Sequence, residues 1–217
     1  MPYKDKEWMK SQISQGKTCY DLAKELGRSK EAIYWWARKH GLKLNSPARR
    51  LKYSLDESFF DVVDTEEKAY ILGFILADGY INNRRTSLEI KINKKDVDIL
   101  AKILNCLGSN SPIHHSKTRP NMVYITLSSK RLVKALDRFG VVPNKTENIP
   151  FPELPEELYR HFLRGYFDGN GHVGDRSCAL VVSSELFLDG LMKFIQDRFS
   201  FKPWYDKKGK CYRINFP

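Results

Sequence analysis

Residues 71–79 read ILGFILADG, and residues 163–171 read LRGYFDGNG. Each stretch carries a glycine six residues before a closing glycine, Gly73 before Gly79 and Gly165 before Gly171. A shift of 92 residues lays one stretch on the other and continues past it. Asp78 falls on Asn170, Ile81 on Val173, Leu88 on Leu180 and Ile90 on Val182. Further along, Ile99, Leu100 and Ile103 fall on Leu191, Met192 and Ile195. Self-similarity at a fixed period marks a duplicated structural unit.

The hydrophobic periods say what the unit contains. From Thr65 the pattern TEEKAYILGFILADG predicts a helix, with acidic residues in its first turn to suit the dipole and Gly79 as its end. In SLEIKIN, Leu88, Ile90 and Ile92 face one way and Glu89, Lys91 and Asn93 the other, the alternation of a half-buried strand. A helix follows at Lys95–Leu107, then strands at Pro112–Ser116 and Met122–Leu127 around a basic loop, then a closing helix at Lys130–Phe139. The second copy repeats helix, two strands, helix and two strands. At Pro217 it has shown no counterpart of the closing helix, so it reads either as truncated or as naturally minimal.

Composition bounds the partners. The 217 residues are 41% hydrophobic and 12% aromatic, as in a globular protein, and 37 Lys+Arg against 26 Asp+Glu give a net charge of +11. That balance favours a polyanion. Residues 1–50 hold 12 Lys+Arg and 5 Asp+Glu, so +7 of the excess lies in the first quarter. No stretch reaches the roughly 18 apolar residues of a membrane span, and the N-terminus has no apolar secretion signal, so an intracellular, membrane-free protein is expected. Cys19, Cys106, Cys178 and Cys211 form no CxxC pair and read as reduced thiols.

The basic N-terminal segment predicts three short helices, at Lys6–Gln15, Tyr20–Leu26 and Lys30–His40. Gly16, Gly27 and Gly41 end them, and Ser29 caps the third. Leu22, Ala23, Leu26, Ile33, Trp36 and Ala37 fall inward at helical spacing. Ala23, Gly27 and Ile33 occupy the tight-approach, turn and locking positions of a helix-turn-helix. Lys30, Tyr34, Trp35, Arg38 and Lys39 are left on the outer side of the third helix, which could enter a major groove. A plain three-helix bundle with a charged face is the bland alternative. Residues 44–56 then read as a basic linker, with Arg49, Arg50 and Lys52 suited to tracking a DNA backbone.

Small residues at Gly73 and Gly165 permit a tight helix crossing, which would bring the two helix C-termini together. The residues before the closing glycines, Asp78 and Asn170, would then meet at the bottom of a shared cleft. Paired carboxylates in such a place can hold divalent cations that activate water and stabilise the leaving oxygen of a phosphodiester.

The two glycine-rich helix ends, with the preceding block YSLDESFFDVVDTEEKAY and the later VVPNKTENIP, resemble the paired motifs of single-chain LAGLIDADG homing endonucleases over roughly residues 53–217. The resemblance implies an α+β fold: two pseudo-symmetric αββαββα units forming a DNA-binding saddle, here preceded by a small all-α helix-turn-helix domain. The domains would be 1–43 for the helix-turn-helix, 44–56 for the linker, 57–150 for the first unit and 151–217 for the second. It also implies Mg2+ (or Mn2+) held by the acid before each final glycine, Asp78 and the matching Asn170, with Gly73, Gly79, Gly165 and Gly171 at the helix interface. Lys145 of the NKT segment matches a lysine near the cleft. Asn170 departs from the family: it keeps an oxygen and loses the charge. Asp168, two residues earlier, is the nearest spare acid.

The strands of the saddle would read the major groove through Asn82, Arg84, Glu89, Lys91, Lys117, Arg119 and Tyr124 in the first unit. In the second the candidates are His172, Arg176, Lys202, Trp204 and Arg213. The function so implied is sequence-specific cleavage of double-stranded DNA by a monomer from an intron or a phage or bacterial mobile element. Asn170 leaves open an intact, a nicking and an inactive enzyme. A non-catalytic DNA-binding regulator or intron-splicing cofactor is the alternative. Asp78, Glu89 and Lys91 also spell a D…ExK nuclease pattern, but strand alternation already accounts for Glu89 and Lys91. His114 and His115 lack the partner an HNH nuclease needs.

Overall fold

A computed structural model describes residues 2–44, 52–143, 149–175 and 177–216. The chain divides into two compact units, Met1–Lys52 and Tyr53–Pro217. The smaller unit contains α1 (Lys6–Ser14), α2 (Cys19–Leu26) and α3 (Lys30–Lys39). Side chains set the helix starts. Asp5 accepts the Glu7 and Trp8 amides at 2.9 and 3.1 Å, Thr18 and Asp21 form a reciprocal capping box, and Ser29 accepts the Ala32 amide at 3.2 Å. Gly27 ends α2 at φ 58°, a left-handed conformation that a side chain would disfavour. Met9, Leu22, Ile33 and Trp36 form the small core, and Ala23 and Leu26 pack against it.

In the larger unit the first half runs α4 (Glu66–Asp78), β1 (Gly79–Ile81), β2 (Leu88–Asn93), α5 (Val97–Cys106), β3 (His114–His115), β4 (Met122–Leu127) and α6 (Lys130–Asp137). The second runs α7 (Tyr159–Asn170), β5 (Gly171–Gly174), β6 (Ser177–Val182), α8 (Glu185–Arg198), β7 (Trp204–Lys208) and β8 (Cys211–Phe216). Each half forms one antiparallel sheet, in the orders β1-β2-β4-β3 and β5-β6-β8-β7. The architecture is the expected α+β pair of repeats. One continuous core spans both halves. Helix α4 lies at its centre, which is why it buries residues all round, from Ala69 and Ile71 to Ile75 and Leu76, instead of along one stripe. Among the described residues no helix is long and apolar enough to cross a membrane.

Three expectations change in detail. Tyr53–Asp56, expected in the linker, belongs to the larger unit. Ser54 and Asn110 exchange backbone-to-side-chain hydrogen bonds of 2.7 and 3.1 Å, and the Asp56 amide donates to the Leu107 carbonyl. The strand at Pro112–Ser116 shortens to His114–His115. Most consequentially, the shift of 92 does not survive the first hairpin. Gly79 pairs with Ile90, whereas Gly171 pairs with Leu180. Leu180 therefore occupies the place of Ile90, and Cys178 that of Leu88, because residues 82–87 connect β1 to β2 while only residues 175–176 connect β5 to β6. Arg49, Arg50, Lys145 and Arg176 lie outside the described residues.

Candidate nucleic-acid interface and helix junction

The junction of α4 with α7 depends on glycine. A Cβ on Gly73 would lie 2.0 Å from the Phe162 carbonyl oxygen, and one on Gly165 would lie 1.9 Å from that of Tyr70. Backbone meets backbone at both points, so neither residue can carry a side chain. The closing glycines act differently. A Cβ on Gly79 or Gly171 would strike the carbonyl four residues back in its own helix, Ile75 or Phe167, at 2.6 and 2.4 Å. Their role is thus to turn the chain out of the helix into β1 or β5. The third contact across the junction comes from Gly169, which the sequence reading missed: its Cβ would sit 2.5 Å from that of Ala77 and 3.0 Å from a carboxylate oxygen of Asp78. Its neighbour Asp168 accepts a 2.7 Å hydrogen bond from the Tyr70 hydroxyl across the junction. Burial, then that bond, raises the Tyr70 pKa.

At the helix ends the two halves diverge. Asp78 lines a cavity of about 550 Å³ together with Lys91, Asp96 and Asp168. Asn170 ends the partner helix near the buried Tyr166, whose hydroxyl donates to the Val181 carbonyl at 3.4 Å. Burial pushes the Tyr166 phenol up to about 12, and the Asn170 amide draws it partly back. A divalent ion held between two motif carboxylates is what the resemblance implies, and the donors do not fit it. One carboxylate is missing, the amide in its place keeps an oxygen without the charge, and the spare acid Asp168 already accepts from Tyr70. Among the described residues no group of three or more His, Cys, Asp or Glu is placed to hold a metal ion.

The strand candidates sort by face. Glu89 and Lys91 alternate with the buried Leu88, Ile90 and Ile92, so they stand on the sheet face away from the core, 3.0 Å apart as an ion pair. Register adds the exposed Tyr80 beside Glu89, and Tyr124 beside Lys91, whose ammonium lies 5.3 Å over the Tyr124 ring. In the second sheet His172, Ala179, Asn215 and Trp204 line up in one cross-strand row, and Val181, Arg213 and Asp206 in the next. Strand alternation could have added Tyr80 and Asn215 to the reading. Arg84, Lys117, Arg119 and Lys202 are exposed beyond the strands.

Asn82 departs from its expected part. Its amide oxygen accepts the Thr86 and Ser87 backbone amides at 2.8 and 3.3 Å, and its nitrogen donates to the Thr86 hydroxyl, so it builds the β1–β2 turn instead of offering a free amide. In the smaller unit Lys30, Tyr34, Trp35 and Arg38 are exposed along α3, while Ile33, Trp36 and Ala37 are buried.

Residues 65–140 match the family described as a LAGLIDADG-like domain. An uncharacterised protein of Methanocaldococcus jannaschii is 32% identical over 177 residues, covering 78% of this chain and 58% of that protein. The replication factor C small subunit of the same organism is 25% identical over 165 residues, 72% of this chain but 8% of that protein. The chain thus spans little more than half of one curated relative and under a tenth of the other. Among solved structures, full-length WhiA from Thermatoga maritima matches with a TM-score of 0.50 at 16% identity, over 74% of this chain and 54% of that one. At that identity the likeness bears on the fold alone. The homing endonuclease I-DmoI, solved with DNA and Mn, gives a TM-score of 0.44 at 14% identity over 73% of this chain and 89% of that one.

Proposed function

We propose that the larger unit binds double-stranded DNA sequence-specifically with the outer faces of its two sheets, and that the smaller unit adds a helix-turn-helix contact through α3. The outer faces carry the reading. Rows of polar and aromatic side chains, from Tyr80, Glu89, Lys91 and Tyr124 to His172, Trp204, Arg213 and Asn215, stand on two sheets joined by a backbone-close helix pair. Groove recognition needs such donors, acceptors and ring edges on a rigid surface. The net charge of +11 supplies the attraction. The test is selection of bound duplexes from a random library, followed by titration in rising salt. A single enriched motif, with affinity falling about a thousandfold or more between 50 and 200 mM salt, is the expected outcome for six or more phosphate contacts. Failure to enrich any motif would overturn the proposal.

A second reading, Mg2+- or Mn2+-dependent cleavage of the kind the resemblance implies, is favoured by one observation, the acid retained at Asp78. With Asn170 in place of the second motif carboxylate, the unmodified chain is expected to cut poorly. Incubating the selected duplex with the chain and with Asn170→Asp, in either metal, decides it. Cutting or nicking by either protein supports an endonuclease, and intact DNA in every lane leaves a binding protein.

A further inference from the structure

Helix α3 sorts three consecutive aromatic residues in an unusual way. Trp36 enters the small core, while Tyr34 and Trp35 stay 54% and 64% exposed. Tyr20 of α2, 51% exposed, joins them. The three rings border a groove of about 480 Å³ with Cys19, Lys30 and Glu31. Cations frame it: Lys30 Nζ lies 5.1 Å over the Tyr20 ring, and Lys39 Nζ lies 5.2 Å over the Trp35 ring. Rings of this size give contact area at low cost in conformational freedom, and apolar patches left open on a small domain mark an interaction site.

The rim selects the occupant. Lys30, Arg38 and Lys39 suit phosphates, and a single helix has the width of a major groove. Inside that groove the only apolar feature a base pair presents is the thymine C5-methyl group. We propose that Tyr20, Tyr34 and Trp35 form a thymine-methyl reader, so that the smaller unit selects duplex sites by where their methyl groups stand. The inference rests on the helix-turn-helix reading of this unit and gives it a specificity.

The full chain is titrated with alternating poly(dA-dT) and poly(dA-dU) duplexes of equal length at one salt concentration. They differ only in the methyl. Burying one methyl is worth about a fourfold change in affinity, so the chain is expected to prefer the thymine duplex by about fourfold or more. Trp35→Ala should bring the ratio towards one and Trp35→Phe should keep most of it, with circular dichroism confirming that both variants fold. A ratio near one, or a ratio that Trp35→Ala leaves unchanged, overturns the proposal. The double variant Lys30→Ala with Arg38→Ala separates the underlying reading. If it lowers the salt slope while the ratio is one, the helix touches DNA without reading methyls. If it changes neither affinity, α3 does not touch DNA at all. Concentration-dependent self-association that Trp35→Ala abolishes, with no thymine preference, would assign the rings to a second copy of the chain and also overturn the reader.

Discussion

The two halves of the larger unit share a backbone plan and differ in almost everything hung on it. At the crossing they are matched, since Gly73 and Gly165 are each pressed against a carbonyl of the opposite helix. One turn later the match ends. The first half has Phe74 and, four residues on, Asp78, whereas the second has Tyr166 and, four residues on, Asn170. Beneath the sheets the contrast is larger. The cross-strand row Ile81–Leu88–Leu127 is buried, and α6 buries Leu132, Val133 and Leu136 in the same core. An Arg85–Asp137 ion pair of 3.0 Å also ties α6 to the β1–β2 turn. The corresponding row Val173–Cys178–Phe216 is only partly covered, with Val173 71% exposed where Ile81 is 1% exposed. Duplication has kept the contact that fixes helix geometry and let chemistry and covering drift apart.

The heaviest blow to this arrangement falls where the halves agree. Gly165→Val, like Gly73→Val, puts atoms where a carbonyl oxygen already stands, and no side-chain rotation relieves a clash with backbone. The cost should exceed about 5 kcal/mol, comparable with the whole stability of a domain. Both variants are expected to lose the cooperative thermal transition of the larger unit. A normal melt in either would mean that the crossing is looser than described.

The next test separates the halves. Ile81→Ala removes buried methylenes and should cost about 2–5 kcal/mol. Val173→Ala, at the corresponding place, should stay within about 0.5 kcal/mol because the side chain is already in water. Equal losses in urea titrations would show that something covers the second sheet in solution.

The element order and the paired glycines were legible because they rest on local rules: 3.6-residue and 2-residue periods, caps, and small residues at a crossing. The strand register was not legible. A hairpin connection of two residues in place of six leaves both apolar patterns plausible, so Leu88 aligned with Leu180 by sequence while Cys178 holds its place in the sheet. The site was half legible. Asp78 and Asn170 stand at the helix ends as their motif spacing requires, but Gly169 contacts Asp78 and the Tyr70–Asp168 bond spans 98 residues, which no local pattern reports. Asn82 looked like a base reader because its type suits adenine, and only the turn geometry shows that its amide is occupied.

Tyr166→Phe makes the second half resemble the first one turn before the acid position, where Phe74 stands four residues before Asp78. It deletes a buried hydroxyl that donates to the Val181 carbonyl, and should cost about 1 kcal/mol in urea unfolding. If Tyr166→Phe and the unmodified chain unfold at the same urea concentration, the hydroxyl makes no net bond and the asymmetry at the helix ends lies in residue 170 alone.

The smallest effect concerns how each half ties down the approach to its first helix. Asp64 and Glu156 are 92 residues apart and occupy matching places, but Asp64 pairs with Lys68 one turn away while Glu156 makes two 2.5 Å bonds to Arg198 at the end of α8. The hydrogen bond to its cation is the largest cause holding each carboxyl below its usual range. A depressed folded pKa contributes stability that is fully present above the unfolded value and fades as pH falls through the folded one. Both contributions should therefore be intact at neutral pH and decline below about pH 4. They should be modest and salt-sensitive, because these carboxylates face solvent. Glu156→Gln should flatten the acid limb of the melting-temperature profile more than Asp64→Asn does. The Arg198 bond joins segments 42 residues apart, whereas the Lys68 bond only reinforces a helix start that Thr65 already caps. If Asp64→Asn flattens the profile as much as Glu156→Gln, the long-range pair adds nothing beyond a local one, and the second half is held by its aromatic cluster around Phe151 alone.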